Sequence, residues 1–146
     1  VDTTAAATIS VDTIAGDDII NAAEEQSDIT ITGTVGGDAA EGDTVTLTVD
    51  GTEYTGTVAA DLTYAIDVPG TKLTADSDAT LDAKVTGTDE NGNSFEATTT
   101  HAYTVDTTAA ATISVDTIAG DDIINAAEEQ SDITITGTVG GDAAEG

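Results

Sequence analysis

Apolar and polar side chains alternate with period two along most of residues 29–104, and that alternation predicts strands. Ile29, Ile31 and Val35 share one face over Ile29–Val35, and Val45, Leu47 and Val49 do so over Thr44–Val49. Further strands are expected at Tyr54–Ala59, at Leu62–Val68 with Leu62, Tyr64, Ile66 and Val68 inward, and at Ala79–Thr88 with Leu81, Ala83 and Val85 inward. Ser94–Thr104 closes the set, and Thr8–Val11 reads as a short first strand. Asp50-Gly51 predicts a tight hairpin, because both residues tolerate the positive φ of such turns. Pro69-Gly70 ends a strand, and Asn21–Gln26 has room for one helical turn; no long amphipathic helix is expected. Seven antiparallel strands in about 100 residues predict an all-β, immunoglobulin-like seven-strand sandwich.

Residues 1–42 recur letter for letter as residues 105–146. The chain is therefore expected to be one complete repeat, 1–104, followed by the first part of the next identical repeat, 105–146, which carries its first two strands. A unit of this size can bury its own core, so the tandem array reads as beads on a string and not as a solenoid. Two short strands alone are unstable, so the second segment is expected to be completed by strands of a neighbour. Neither a signal peptide, nor an apolar run of about 18 residues, nor an initiator Met is present, which reads as an internal piece of a longer protein.

The formal charge is −27, from 29 acids against two lysines. Such a surface repels nucleic acid and anionic lipid, so neither is an expected partner. With no cysteine to form a disulfide, metal ions are the obvious staple for an acidic domain. Up-and-down strand order sends alternate loops to opposite ends. The loops Gly36–Asp43, Asp61 and Asp89–Asn93 should share one pole. Asp12–Asp28, Asp50, Asp76, Asp78 and Asp106 should share the other.

Three clusters are candidate cation sites, since hard ions such as Ca²⁺ take six to eight oxygens. In the first, Asp12, Asp17, Asp18, Asn21 and Glu24, the Asp18-x-x-Asn21-x-x-Glu24 spacing on a helical turn puts three side-chain oxygens on one side, with no basic residue expected nearby. Its copy is Asp116, Asp121, Asp122, Asn125 and Glu128. The second, Asp89, Asn91 and Asn93, opens like an EF-hand loop, but Thr100 stands where the bidentate Glu belongs, so a simple calcium turn is the reading. The third is the linker aspartate, Asp2 and its copy Asp106, placed to hold ions shared by neighbouring repeats; Asp38, Glu41 and Asp43 belong to the same joint. For each cluster the plainer alternative is a solvated acidic loop or an ordinary Asx turn. Ranks of Thr at 30, 32, 34, at 44, 46, 48 and at 98–100 suit the wet face of strands; direct ice or glycan binding is the second reading. An acidic domain without a specific metal is the third. Lone His101, no cysteine and no nucleophile or phosphate motif argue against an enzyme.

Val1–Thr4, Gly16–Glu24, Val35–Val49 and Thr88–Asn93 together resemble the bacterial immunoglobulin-like repeats of giant RTX adhesins. The resemblance implies type I secretion, an extracellular place on the bacterial surface, and long arrays that extend the chain while separate domains bind ligand or ice. It implies several Ca²⁺ per repeat, on Asp12, Asp17, Asp18, Asn21 and Glu24 and at joints near Asp89, Asn91, Asn93 and Asp106, with neighbouring identical repeats as partners. The linker carries Thr-Thr-Ala-Ala where such repeats often have a proline, which makes its stiffness depend more on the metal. The expected role is a calcium-stabilised extender, stiffened when ions bind its loops and joints.

Overall fold

The alternation folds into two facing sheets. The computed structural model describes all of Val1–Gly146 and divides into two compact units, Val1–Thr107 and Thr108–Gly146. In the first unit the elements are β1 (Ala7–Ile9), β2 (Ile19–Ile20), α1 (Ala22–Glu25), β3 (Asp28–Gly37), β4 (Thr44–Val49), β5 (Thr52–Thr57), β6 (Thr63–Pro69), α2 (Gly70–Ala75), β7 (Thr80–Thr88), β8 (Ser94–Ala102) and β9 (Thr104–Val105). One sheet runs β1-β3-β6 and the other β5-β4-β7-β8, all antiparallel. These seven strands form the sandwich, and β2 pairs separately with β9 in parallel.

Between the sheets lie Ile31, Val35, Ile66 and Val68 from one side and Val45, Leu47, Val49, Leu81 and Val85 from the other, all buried. Each such side chain removed from water contributes about 1.5–3 kcal/mol. Leu47 stands opposite Ala83 and Ile31 opposite Ile66, so large and small residues share the cross-strand positions. No polar or charged residue is buried. Tyr64 passes its hydroxyl out of the core to donate to the Ser10 carbonyl at 2.8 Å. Burial, then the charge of Asp12, pushes that phenol up to about 12, so it stays a donor at all ordinary pH.

The hairpin at Asp50-Gly51 has both residues at positive φ, as their types require. Other expectations need correcting. Leu62 does not join the inward face: it sits at φ 66 in the turn before β6, and is 37% exposed. Its carbonyl accepts from Val35 N–H and its N–H donates to Ala59, so backbone bonding decides its conformation. The regular part of the first strand is Ala7–Ile9, although Ser10 and Asp12 still donate to the Thr34 and Thr32 carbonyls. The last strand stops at Ala102. Tyr103 turns into the core, with its hydroxyl on the Leu73 carbonyl at 2.6 Å, and Thr104–Val105 leave β8 for β2. Helix α2 was not expected, because Gly70-Thr71-Lys72 has little helical preference. Buried Leu73 anchors it. Gly70 is required there, because a Cβ would fall 2.1 Å from the Glu24 carbonyl oxygen.

The second unit contains β10 (Ala111–Val115), α3 (Ala126–Glu129) and β11 (Gly137–Gly141), with β10 and β11 paired antiparallel.

Candidate metal centres at the poles of the sandwich

At one pole, the loop between β1 and β3 wraps around Ile14 and Ile20, both fully buried. The turn Ile14–Gly16 places Asp18 at φ 59, outside any helix. Its Oδ1 accepts from Ile14 N–H at 2.7 Å and faces His101 Nε2 at 2.8 Å. Those bonds, the backbone one first, hold the Asp18 carboxyl below its ordinary range. The sequence reading saw no basic partner near this loop. His101 supplies one, because β8 runs 83 residues later past the same edge. Asn21 caps α1: its Oδ1 accepts from Glu24 N–H at 2.9 Å, while Glu24 Oε1 accepts from Asn21 N–H at 3.1 Å. The reading of Asp18, Asn21 and Glu24 as three oxygens on one helical face is corrected accordingly. Asn21 and Glu24 form a reciprocal cap, which satisfies two of the helix's orphan donors. Asp17 Oδ1 takes Ile19 N–H at 3.0 Å and Asp12 Oδ2 takes the Thr32 hydroxyl at 2.9 Å.

The same pole receives the chain as it leaves the domain. Thr104 N–H donates to Asp18 carbonyl at 2.8 Å and Asp106 N–H to Ile20 carbonyl at 2.9 Å. Asp76 lies close by, with its carboxyl raised by burial and then by neighbouring Asp78.

At the opposite pole, Asp2 meets the β7–β8 loop. Asn91 Nδ2 donates to Asp2 Oδ2 at 2.8 Å, and Asn93 Nδ2 to the Asp2 carbonyl at 3.1 Å. Asp89 receives Asn93 Nδ2 at 2.9 Å and the N–H groups of Asn91 and Asn93 at 2.9 and 2.8 Å. The Asn93 bonds, side chain first, hold its carboxyl below the usual range. A cleft of ≈ 440 Å³ is lined by Asp2, Asp38, Asp89, Glu90 and Asn91. Asp38 also accepts from Ala6 N–H at 2.9 Å. Asp43 instead turns back to Ala40 N–H at 2.7 Å. The structure thus brings Asp2, and not Asp106, to Asp89, Asn91 and Asn93; Asp106 lies at the other pole.

The donor set at both poles is hard oxygen, which suits Ca²⁺ and not a soft metal. No group of three or more His, Asp or Glu side chains converges to hold a metal ion, so amide and backbone oxygens would have to complete any shell. Asn91 and Asn93 can do so: an amide rotated by half a turn presents Oδ1 where Nδ2 now points.

In the second unit the copied loop keeps its local bonds. Asp122 accepts from Ile118 N–H at 2.7 Å, Asp121 from Ile123 N–H at 2.9 Å and Asp116 from the Thr136 hydroxyl at 3.0 Å. Asn125 and Glu128 form the same reciprocal cap. The outer face of β4, β7 and β8 does not present an unbroken Thr rank, because Asp82, Lys84 and Glu96 stand among Thr46, Thr48 and Thr98.

The chain matches no protein-family model and no curated relative. Solved structures do match. A structure of a 1.5-MDa bacterial ice-binding adhesin, concerned with host cell surface retention, is 46% identical with a TM-score of 0.89; the match covers 99% of this chain and 46% of that one. A Ca²⁺-stabilised adhesin that helps an Antarctic bacterium reach out and bind ice is also 46% identical, with a TM-score of 0.81, covering 99% of this chain and 35% of that one. This chain therefore spans less than half the length of either. A bacterial immunoglobulin-like domain from the M. primoryensis ice-binding adhesin is matched over 100% of its length and 70% of this chain, at 44% identity and a TM-score of 0.67. With that domain matched whole on the two-sheet sandwich described above, the chain belongs to the immunoglobulin-like repeat family of bacterial ice-binding adhesins.

Proposed function

We propose that this chain is a calcium-stabilised extender of a long bacterial surface adhesin, projecting a distal ligand-binding domain away from the cell. It acts extracellularly, through shape and stiffness and not through catalysis, and its partners are identical repeats on either side. The observation that carries this reading is the position of Asp2. A residue of the linker lies against the Asp89–Asn93 loop, so the joint and the strongest oxygen cluster at that pole are one place.

Calcium would be held at Asp2, Asp89, Asn91 and Asn93, and in the β1–β3 loop by Asp12, Asp17, Asp18, Asn21 and Glu24. Asp116, Asp121, Asp122, Asn125 and Glu128 repeat that loop set, and Asp106 carries the linker role to the next repeat. The bound ion supplies positive charge and a preference for many oxygens. The chain supplies pre-formed loops, with Ile14 and Ile20 fixing the backbone from which the ligands project. Carboxylates crowded at a pole repel one another, so an ion that binds only the folded form stabilises it by mass action.

Calorimetry in excess calcium and in EDTA tests this. At a free ion concentration 100-fold above Kd, one site adds about 2.7 kcal/mol. For a domain of this size that raises the melting temperature by roughly 10 °C. Equal melting temperatures in the two conditions would rule the reading out.

A further inference from the structure

The linker aspartate is seen twice in this molecule, in two different roles. As Asp106 it is held by its backbone N–H, which donates to Ile20 of the repeat it leaves, in the register that pairs Thr104 with Ile19 and Val105 with Ile20. As Asp2 it is held by its carboxylate and carbonyl, which accept from Asn91 and Asn93 of the repeat it enters. Both sets of contacts lie within Val1–Thr107. The groups do not overlap: one role uses the N–H, the other the two oxygens. Because 105–146 repeats 1–42 without change, one residue in a longer run of repeats can play both roles together.

We propose that the joint between consecutive repeats is this single residue, docked backward through its amide and forward through its oxygens. A hinge needs unbonded residues whose φ and ψ can turn, and this joint leaves none between its two docks. Consecutive repeats then hold their alignment without a metal ion, and calcium reinforces a joint already set. The interaction surface is the Ile19–Ile20 edge of one repeat and the Asn91–Asn93 loop of the next, and the partner it fits is another copy of this repeat. This inference rests on the extender reading, in that it requires repeats in series.

The experiment uses two complete copies of Val1–Thr104 in tandem, since the first unit has its own core. In EDTA, below the melting transition, residual dipolar couplings should give both repeats one alignment tensor, and scattering should give the maximum dimension of an extended pair. Two glycines inserted between Val105 and Asp106 keep every docking group but separate the docks. That variant should lose the common tensor and shorten on average. Asn91→Ala with Asn93→Ala in the second copy should also lose it, through the forward dock alone. If the unaltered tandem in EDTA is as loosely aligned as the glycine variant, the proposal is overturned. Should EDTA unfold the repeats, the same pair is compared in calcium by amide exchange, where Asp106 N–H should exchange up to roughly tenfold more slowly in the unaltered chain; equal rates overturn the proposal. Failure of calcium to change the melting temperature would remove the calcium reading and leave this one standing.

Discussion

Val1–Gly42 and Val105–Gly146 have the same sequence and different surroundings, and the contrast separates what the chain does locally from what the sandwich imposes. Turns and caps are common to both: Asp18 and Asp122 each take the N–H four residues earlier, and Asn21 and Asn125 each cap a four-residue helix. Burial is not shared. Ile20 and Ile31 are 0% and 1% exposed, whereas their copies Ile124 and Ile135 are 50% and 54% exposed. Strand β3 runs for ten residues against β1 and β6, but its copy β11 for only five against β10. Short-range hydrogen bonds shape the ion-binding candidates by themselves. The hydrophobic face that stabilises the domain needs β4 to β8.

The same substitution at paired positions gives the sharpest test. Ile20→Ala should cost about 2–5 kcal/mol in a urea melt of the first unit, through lost transfer energy and a cavity. Ile124→Ala should stay within about 0.5 kcal/mol, because that side chain is half exposed already. Equal effects would mean that the two copies share one kind of environment.

Asp18→Asn should act more weakly, by about 1 kcal/mol or less, since this carboxylate is partly exposed and screened. The sign with pH follows from its lowered folded value, set first by Ile14 N–H and then by His101. Its stabilisation is complete above the unfolded carboxylate range, near 3.9, and is lost as pH falls through the lower folded value. The acid limb of a melting-temperature profile should therefore flatten in Asp18→Asn. His101→Ala should remove part of the same effect, whereas no residue of the second unit corresponds to His101 opposite Asp122.

Asn21→Ala and Asn125→Ala should have the smallest and most equal effects. Each removes a cap worth about 0.5–1 kcal/mol to a single helical turn. Amide exchange should quicken at Glu24 and at Glu128 by similar factors. A change confined to Glu24 would show that the domain, and not the local cap, holds that turn.

Much of the sandwich was readable because period two survives wherever one face is buried. Val45, Leu47 and Val49 announced β4, and Asp50-Gly51 announced the turn after it. The sorting of loops to poles followed from strand order alone: Asp2, Asp38 and Asp89 do line one cleft, and Asp18, Asp76 and Asp106 do lie at the other end. The partners of each carboxylate were not readable. A reading of residue types cannot see that His101 passes Asp18 across 83 residues, or that two isoleucines after a turn will pair in parallel with a linker. Helix α2 was hidden because packing of Leu73 and the close approach at Gly70 override weak local preference. Leu62 misled because its apolar type fits the alternation, while the turn it occupies is fixed by backbone bonds.

The position of β9 bears on how such a chain folds without error. Two identical stretches compete for one set of partner strands, a situation that invites misassembly. To replace β1 in its own sandwich, Ala111 would have to travel from the Thr104 end of β8 back to the Asp89 end. Nine residues of β8 span about 30 Å at 3.3 Å per residue. The seven steps from Thr104 to Ala111 reach at most about 25 Å, even fully extended. The copy is tethered too short to displace the original, so a newly made repeat keeps its own first strands however many identical sequences follow it.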